Sequence, residues 1–196
     1  MSGQHDRASD DVPTWAYAPI VVVEADPTWA DRGRALAADL DQLLDRWRTT
    51  AVQHVGSTSV PQLVAKPVID VMVPVHDLSD DGFIAVLEVA GWAYVPPELD
   101  GRPEERFFVL PDGARRLAHL HLMDPGSAWP DLITFRDVLR ADPVRRTAYA
   151  ELKQHLAIRH RADREAYTRA KASFVADVLA VVESSTLDQA TSRALR

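Results

Sequence analysis

Two stretches of this chain concentrate residue types that handle phosphate and metal ions. They are His54-Val55-Gly56-Ser57-Thr58-Ser59-Val60-Pro61 and Ala65-Lys66-Pro67-Val68-Ile69-Asp70-Val71-Met72-Val73. Gly56 has no Cβ, so its backbone can approach a ligand closely. Ser57, Thr58 and Ser59 add hydroxyls and N–H groups of the kind that hold phosphate oxygens. Asp70 interrupts a run otherwise suited to burial. A buried carboxylate without a partner is costly, so Asp70 calls for a metal, a base or a substrate. On a strand, Asp70 and Met72 share one face, and Ile69, Val71 and Val73 share the other. The plain alternative for Asp70 is a turn cap or an arginine partner. Lys66 is pushed toward extended backbone by Pro67. It is either a solvated lysine or a partner for phosphate or for Asp70.

His119 and His121 alternate with apolar residues in Ala118-His119-Leu120-His121-Leu122. On a strand they point the same way, with Cα atoms roughly 6–7 Å apart. Two imidazoles so placed can ligate one divalent ion or flank an anion. Equally, one can bond a core carbonyl while the other is half-exposed. Later in the chain, Arg136 and Arg140 fall on one helix face, as do Tyr149 with Lys153 and Tyr167 with Lys171. Such pairs either stack a base and hold a phosphate, or form an amphipathic rim with the ring packed and the ammonium in water. The five tryptophans suit core packing. The sequence holds no Gly-x-x-x-x-Gly-Lys-Ser/Thr loop and no nucleophile elbow, and without cysteine no thiolate chemistry.

The elements that must position these residues follow from pattern and punctuation. Pro19–Glu24, Ala51–Val55, Val68–Val75 and Trp92–Val95 read as strands. Asp26-Pro27 opens a helix whose face is Leu36, Leu40, Leu43, Leu44 and Trp47. Ser79-Asp80-Asp81 starts another, with Phe83, Ile84, Leu87 and Ala90 on its face and Gly91 as its stop. Arg106–Leu110 and Arg116–Met123 flank Asp112-Gly113, a hairpin signal. Pro130–Arg140, Pro143–His160 and Arg164–Val182 read as helices. The whole is an α+β unit with a mixed sheet, packed helices and a helical C-terminal extension. Its expected boundaries are a disordered leader over 1–13, one domain over 14–183 with the extension from 126, and a flexible tail over 184–196.

At 196 residues one domain is expected, large enough to bury a proper core. The net charge of −7 argues against a protein built to grip nucleic acid. No apolar run is long enough to span a membrane, and Met1–Asp11 lacks the apolar centre of a signal peptide. The expected location is the cytoplasm.

The order HVGSTSVP, AKPVIDVMV, HLHL, FRDVLR and the two Tyr/Lys helices resembles the GrpB family over about Val21–Val182. One departure is Gln62, where the family usually has glycine. The resemblance implies a nucleotidyltransferase fold of the DNA polymerase β type, in which a Gly-Ser turn precedes a strand bearing two acids and a later strand bears a third. Gly56-Ser57 and Asp70 fit that scheme, with twelve residues between Ser57 and Asp70. Met72 stands at the second acidic position, and His119 or His121 stands for the third. One Asp and two His suit a single softer ion such as zinc or manganese better than paired magnesium. The implied activity is transfer from a nucleoside triphosphate to a small-molecule acceptor. Asp70, His119 and His121 would be the reactive and metal-holding groups. Gly56, Ser57, Thr58, Ser59, Lys66, Arg136, Lys153 and Lys171 would hold phosphate, with Mg, Mn or Zn as the ion. The alternative is a non-catalytic binding or folding-accessory domain with a protein partner, since GrpB-like domains also occur fused to dephospho-CoA kinase.

Overall fold

The computed structural model describes residues 13–17, 19–127 and 129–194. The expected leader therefore lies almost wholly outside the described residues. Five strands form one sheet: β1 (Gln53–Val55), β2 (Ile69–Pro74), β3 (Ala93–Val95), β4 (Glu105–Asp112) and β5 (Arg115–Met123). Their order is β1-β2-β5-β4-β3. Only β2 and β5 run parallel; the other neighbours are antiparallel. The β4–β5 hairpin closes at Gly113 with φ 57°, as Asp-Gly requires.

One face of the sheet is dry. Ile69, Val71, Val73, Phe108, Leu120 and Leu122 are each 3% exposed or less and pack into a single core. Helix α1 (Trp29–Leu43) and helix α2 (Gly82–Val89) cover it, contributing Trp29, Leu40, Phe83 and Leu87. Trp47 and Trp92 join Trp29 in the same core, so three of the five tryptophans serve core packing as expected, while Trp15 and Trp129 are only half-buried and outside it. Gly33 lets α1 lie directly on the His54 ring; a Cβ there would stand 2.1 Å from its Nδ1.

The other face receives the helical extension: α4 (Trp129–Ala141), α5 (Pro143–Arg159), α6 (Arg164–Arg169) and α7 (Ala172–Ala194). Between β3 and β4 lies a short α3 (Pro97–Asp100). Asp142 caps α5 by accepting from the N–H groups of Val144 and Arg145, with Pro143 in the first turn. The small core of Val60, Leu63, Leu139 and Tyr149 binds this extension to the serine-rich turn.

Three expectations are corrected. Pro19–Glu24 is not a strand: only Val23 forms a β-bridge, exchanging backbone bonds with Ala65, while Ile20 donates its N–H to the Arg161 carbonyl and packs with Leu156 and Tyr167. The first long helix starts at Trp29, because Asp26 turns back to accept from the N–H of Thr28 and Thr28 becomes the cap. Arg164–Val182 is two helices, with Lys171 at the break. No Gly or Pro marks that break in the sequence. The second of the two helices is Ala172–Ala194. No helix among the described residues is long and apolar enough to cross a membrane.

Candidate functional site

Parallel pairing of β2 with β5 sets Asp70 opposite His119 and Met72 opposite His121. All four residues therefore project from the face that the helical extension covers. His119 Nδ1 lies 2.9 Å from Asp70 Oδ1. A carboxylate only accepts, so Nδ1 carries the proton and donates. His119 Nε2 is then left with a lone pair, and it is buried without any hydrogen-bond partner among the described residues. Donor atoms of Asp70, His119 and His121 all lie within 4.8 Å of one another. Glu105, 4% exposed, sits behind His121: its Oε2 accepts from His121 Nδ1 at 3.1 Å. Its other oxygen accepts from Arg102 Nη1 at 2.6 Å. Carboxylates in that position hold and orient metal-ligating histidines.

The serine-rich turn closes over Asp70. Gly56 has φ 68° and ψ −173°, a conformation all but reserved for glycine, and a Cβ there would meet Asp70 Oδ2 at 2.4 Å. The following 3-10 turn, Ser57–Ser59, spends two of its three hydroxyls internally. Thr58 donates to the Val68 carbonyl and Ser59 donates to the Gly56 carbonyl. Ser57 instead faces the Tyr149 hydroxyl and lines an adjoining cavity of about 480 Å³. Gln62, just beyond the turn, has φ 65°. That left-handed backbone explains why glycine suits this position, and the loop keeps the shape without it.

Burial works to raise the Asp70 carboxyl. The hydrogen bond from His119 and the charges of His119, His121 and Lys66 outweigh it and bring the carboxyl down to about 2. Burial holds His119 down to about 4 against the pull of Asp70. At neutral pH the pair is therefore a carboxylate beside a neutral imidazole. Three lysines feel the same carboxylate. Burial lowers Lys66, and burial with the Lys171 charge brings Lys153 to about 7. Burial with the Lys66 charge brings Lys171 to about 8. Lys66 and Lys171 both lie over the Tyr167 ring, at 5.6 and 4.4 Å.

Asp70, His119 and His121 are thus brought together, with Gly56, Ser57, Lys66 and Lys171 around them. Lys153 stands apart: it is 2% exposed, and its ammonium donates to the Val64 carbonyl. Arg136 is engaged in holding the fold, donating to the His54 carbonyl at 3.0 Å and pairing with Asp137, though it also borders the cavity. Arg140 likewise pins the Ser59 carbonyl at 2.8–3.0 Å. Sequence reasoning missed Glu105, because only strand pairing brings the start of β4 beside His121. It also missed His54, although His54 opens the most specific motif. His54 Nε2 lies 3.1 Å from Thr58 Oγ1, and burial together with Arg140 and Arg136 holds the ring down to about 4 against Asp70.

Residues 19–181 match the model of a family described as GrpB protein. A UPF0157 protein of Pseudomonas aeruginosa is 39% identical over 82% of this chain and 66% of its own length. A crystal structure of the conserved protein GrpB from Enterococcus faecalis superposes with a TM-score of 0.70 at 30% identity, covering 81% of this chain and 94% of that one. A dephospho-CoA kinase of Mycolicibacterium paratuberculosis is 29% identical over 83% of this chain, which spans 46% of that protein. The fold, the Gly56–Ser59 turn and the matched span agree: this chain belongs to the GrpB family.

Proposed function

We propose that the protein is a nucleotidyltransferase-like enzyme that takes a nucleoside triphosphate and a small-molecule acceptor. The observation that carries this reading is the charge pattern at one point. The ammonium groups of Lys66 and Lys171 both lie over the Tyr167 ring, at 5.6 and 4.4 Å, within the field of the single carboxylate of Asp70. A site with more ammonium than carboxylate groups is suited to an anion of several charges. Lys66 and Lys171 supply the countercharge, and Ser57 with the Gly56 backbone supplies hydrogen bonds.

A divalent ion fits the donor set. The lone pair of His119 Nε2 is buried without a partner among the described residues, and Asp70, His119 and His121 hold donor atoms within 4.8 Å of one another. One oxygen and two nitrogen ligands suit a single manganese or zinc ion better than two magnesium ions. Such an ion supplies Lewis-acid neutralisation of phosphoryl charge. Asp70 and the two histidines would hold it, and Glu105 keeps His121 in one tautomer. Where no ion binds, a neutral His119 remains a base of the right protonation state at pH 7.

Isothermal titration with ATP, GTP, CTP and UTP, each with Mg, Mn or Zn, is the test. Wild-type protein is expected to bind at least one nucleotide in a metal-dependent way. Asp70→Asn should bind at least tenfold more weakly with an unchanged circular dichroism spectrum. Absence of heat at millimolar nucleotide under every condition removes the reading.

A second reading rests on Met72, which is fully buried where the wider fold carries an acid. Lys153, Arg136 and Arg140 are also engaged with backbone carbonyls. In this reading the domain binds a phosphorylated metabolite or a protein partner and turns nothing over. Nucleotide would then bind without any product detectable by mass spectrometry.

A further inference from the structure

Asp70, His119 and His121 do not themselves line the concavity beside them; Gly56, Ser57 and Lys171 border both. A cavity of about 480 Å³ runs from the serine-rich turn outward between α4 and α7. That volume is in the range of small-molecule sites. Its walls are apolar: Leu132, Phe135 and Leu139 from α4 face Val175, Ala176 and Leu179 from α7. Leu132 is 41% exposed although it lines a concave surface. The floor is built from the edge-to-face pair of Phe135 and Tyr149, centroids 5.1 Å apart. Beside the serine-rich turn stand Ser57 and the half-buried Lys171, while Thr168 lines the cavity from an exposed position. The cavity is therefore amphipathic: the Lys171 ammonium and the Ser57 and Tyr149 hydroxyls stand beside the turn, and hydrocarbon lines the space between α4 and α7.

We infer that this cavity is the acceptor subsite and takes a small molecule with an apolar body and an anionic head, the head against Lys171 and Ser57 and the body between α4 and α7. The inference rests on the proposed transferase reading and names the acceptor class within it. A nucleobase is a poor occupant. Its edge donors and acceptors would be stripped of water along walls whose hydrogen-bonding side chain, Arg136, is already engaged with the His54 carbonyl and Asp137, and each unpaired group costs free energy. An aliphatic or aryl body loses nothing there. Covering Leu132 and its neighbours is favourable by about 25 cal/mol per Å² of apolar surface removed from water. The placement also puts the head beside Ser57, on the same turn that closes over Asp70. A carboxylate and a phosphate monoester satisfy the same inner end, so the head chemistry is what the test separates.

Titration calorimetry with octanoate, octyl phosphate, 1-octanol and adenosine as probes decides the matter on the full chain. Octanoate or octyl phosphate is expected to bind at least tenfold more tightly than 1-octanol, and adenosine not to compete. The preferred head identifies the source chemistry. Ala176→Trp on α7 should weaken binding at least tenfold by filling the outer end. Leu132→Trp on α4, approaching from the opposite wall, should do the same if the first variant folds poorly. Lys171→Met should erase the preference for the anionic probes over 1-octanol. Equal binding of octanol, displacement by adenosine, or full binding in both Trp variants would each overturn the inference. Asp70→Asn separates the two readings. Octanoate binding that survives with metal-dependent nucleotide binding lost supports both. Nucleotide binding in the wild type without any octanoate or octyl phosphate binding overturns the subsite alone. The reverse pattern, anionic probes bound and no nucleotide under any condition, removes the transferase reading and leaves a site for an amphipathic anion.

Discussion

The two faces of the sheet are built by alternate residues of the same strands, yet they obey different rules. Toward α1 and α2, Val71, Val73, Phe108, Leu120 and Leu122 have no exposed surface and no polar atom in their side chains. Toward the helical extension, Asp70, His119, His121 and Glu105 come from the same strands and are also largely covered, but each is held by a polar partner. The dry face gains stability from area removed from water. The polar face holds groups whose burial costs free energy unless they are paired. His119 Nε2, buried and without a hydrogen-bond partner among the described residues, is where an incoming ligand has most to offer.

If that division is right, truncating the dry face should be the most damaging change of all. Phe108 packs edge-on to Phe83 at 6.4 Å and against Tyr94 at 5.1 Å. Phe108→Ala is expected to cost about 3–5 kcal/mol in urea unfolding. A loss below about 1 kcal/mol would mean that the core lies elsewhere. On the polar face, Gly56→Ala is expected to cost less, about 1–3 kcal/mol from the positive φ. It should also push the Asp70 carboxylate away and weaken manganese binding, read by electron paramagnetic resonance. Unchanged stability and unchanged manganese affinity together would break the picture of a turn closed tightly on Asp70. The smallest effect sharpens the comparison, because one imidazole does sit on the dry side. His54 is held down to about 4, below its usual 6.5. As pH falls from about 6.5 toward 4, the unfolded chain takes up a proton that the folded protein refuses. Its contribution is therefore full above pH 6.5 and declines through that window. His54→Gln, which can keep a bond to Thr58, should flatten the fall in Tm between pH 6.5 and 4. An identical slope in the variant would show that His54 is not the group responsible.

Much of this was legible in the chain, for local reasons. Asp-Gly at 112–113 marks a hairpin because its backbone needs the left-handed region there. Asp142-Pro143 marks a helix start because an acid caps free N–H groups and proline gives up none that is needed. The alternation around Asp70 and His119 assigned each to one side of its strand. The failures are equally physical. Val21–Val23 has the composition of a strand, but a strand also needs a partner, and only Val23 found one. Lys171 lies in an uninterrupted helical pattern, yet the chain breaks there and the ammonium lies over Tyr167. Lys153 and Arg136 have the right chemistry for phosphate, but neighbouring carbonyls claimed them.

By itself the sequence determined the kinds of element, their faces, the glycine-serine turn and the family resemblance, because backbone periodicity and turn chemistry act over a few residues. Only the tertiary structure decided that β2 and β5 run side by side, which puts the acid and both imidazoles into one cluster and brings Glu105 behind it. It also decided which cations remain at the cluster and which are tied to the main chain. Those outcomes depend on strand pairing and burial between residues far apart in the chain, and no local pattern records them.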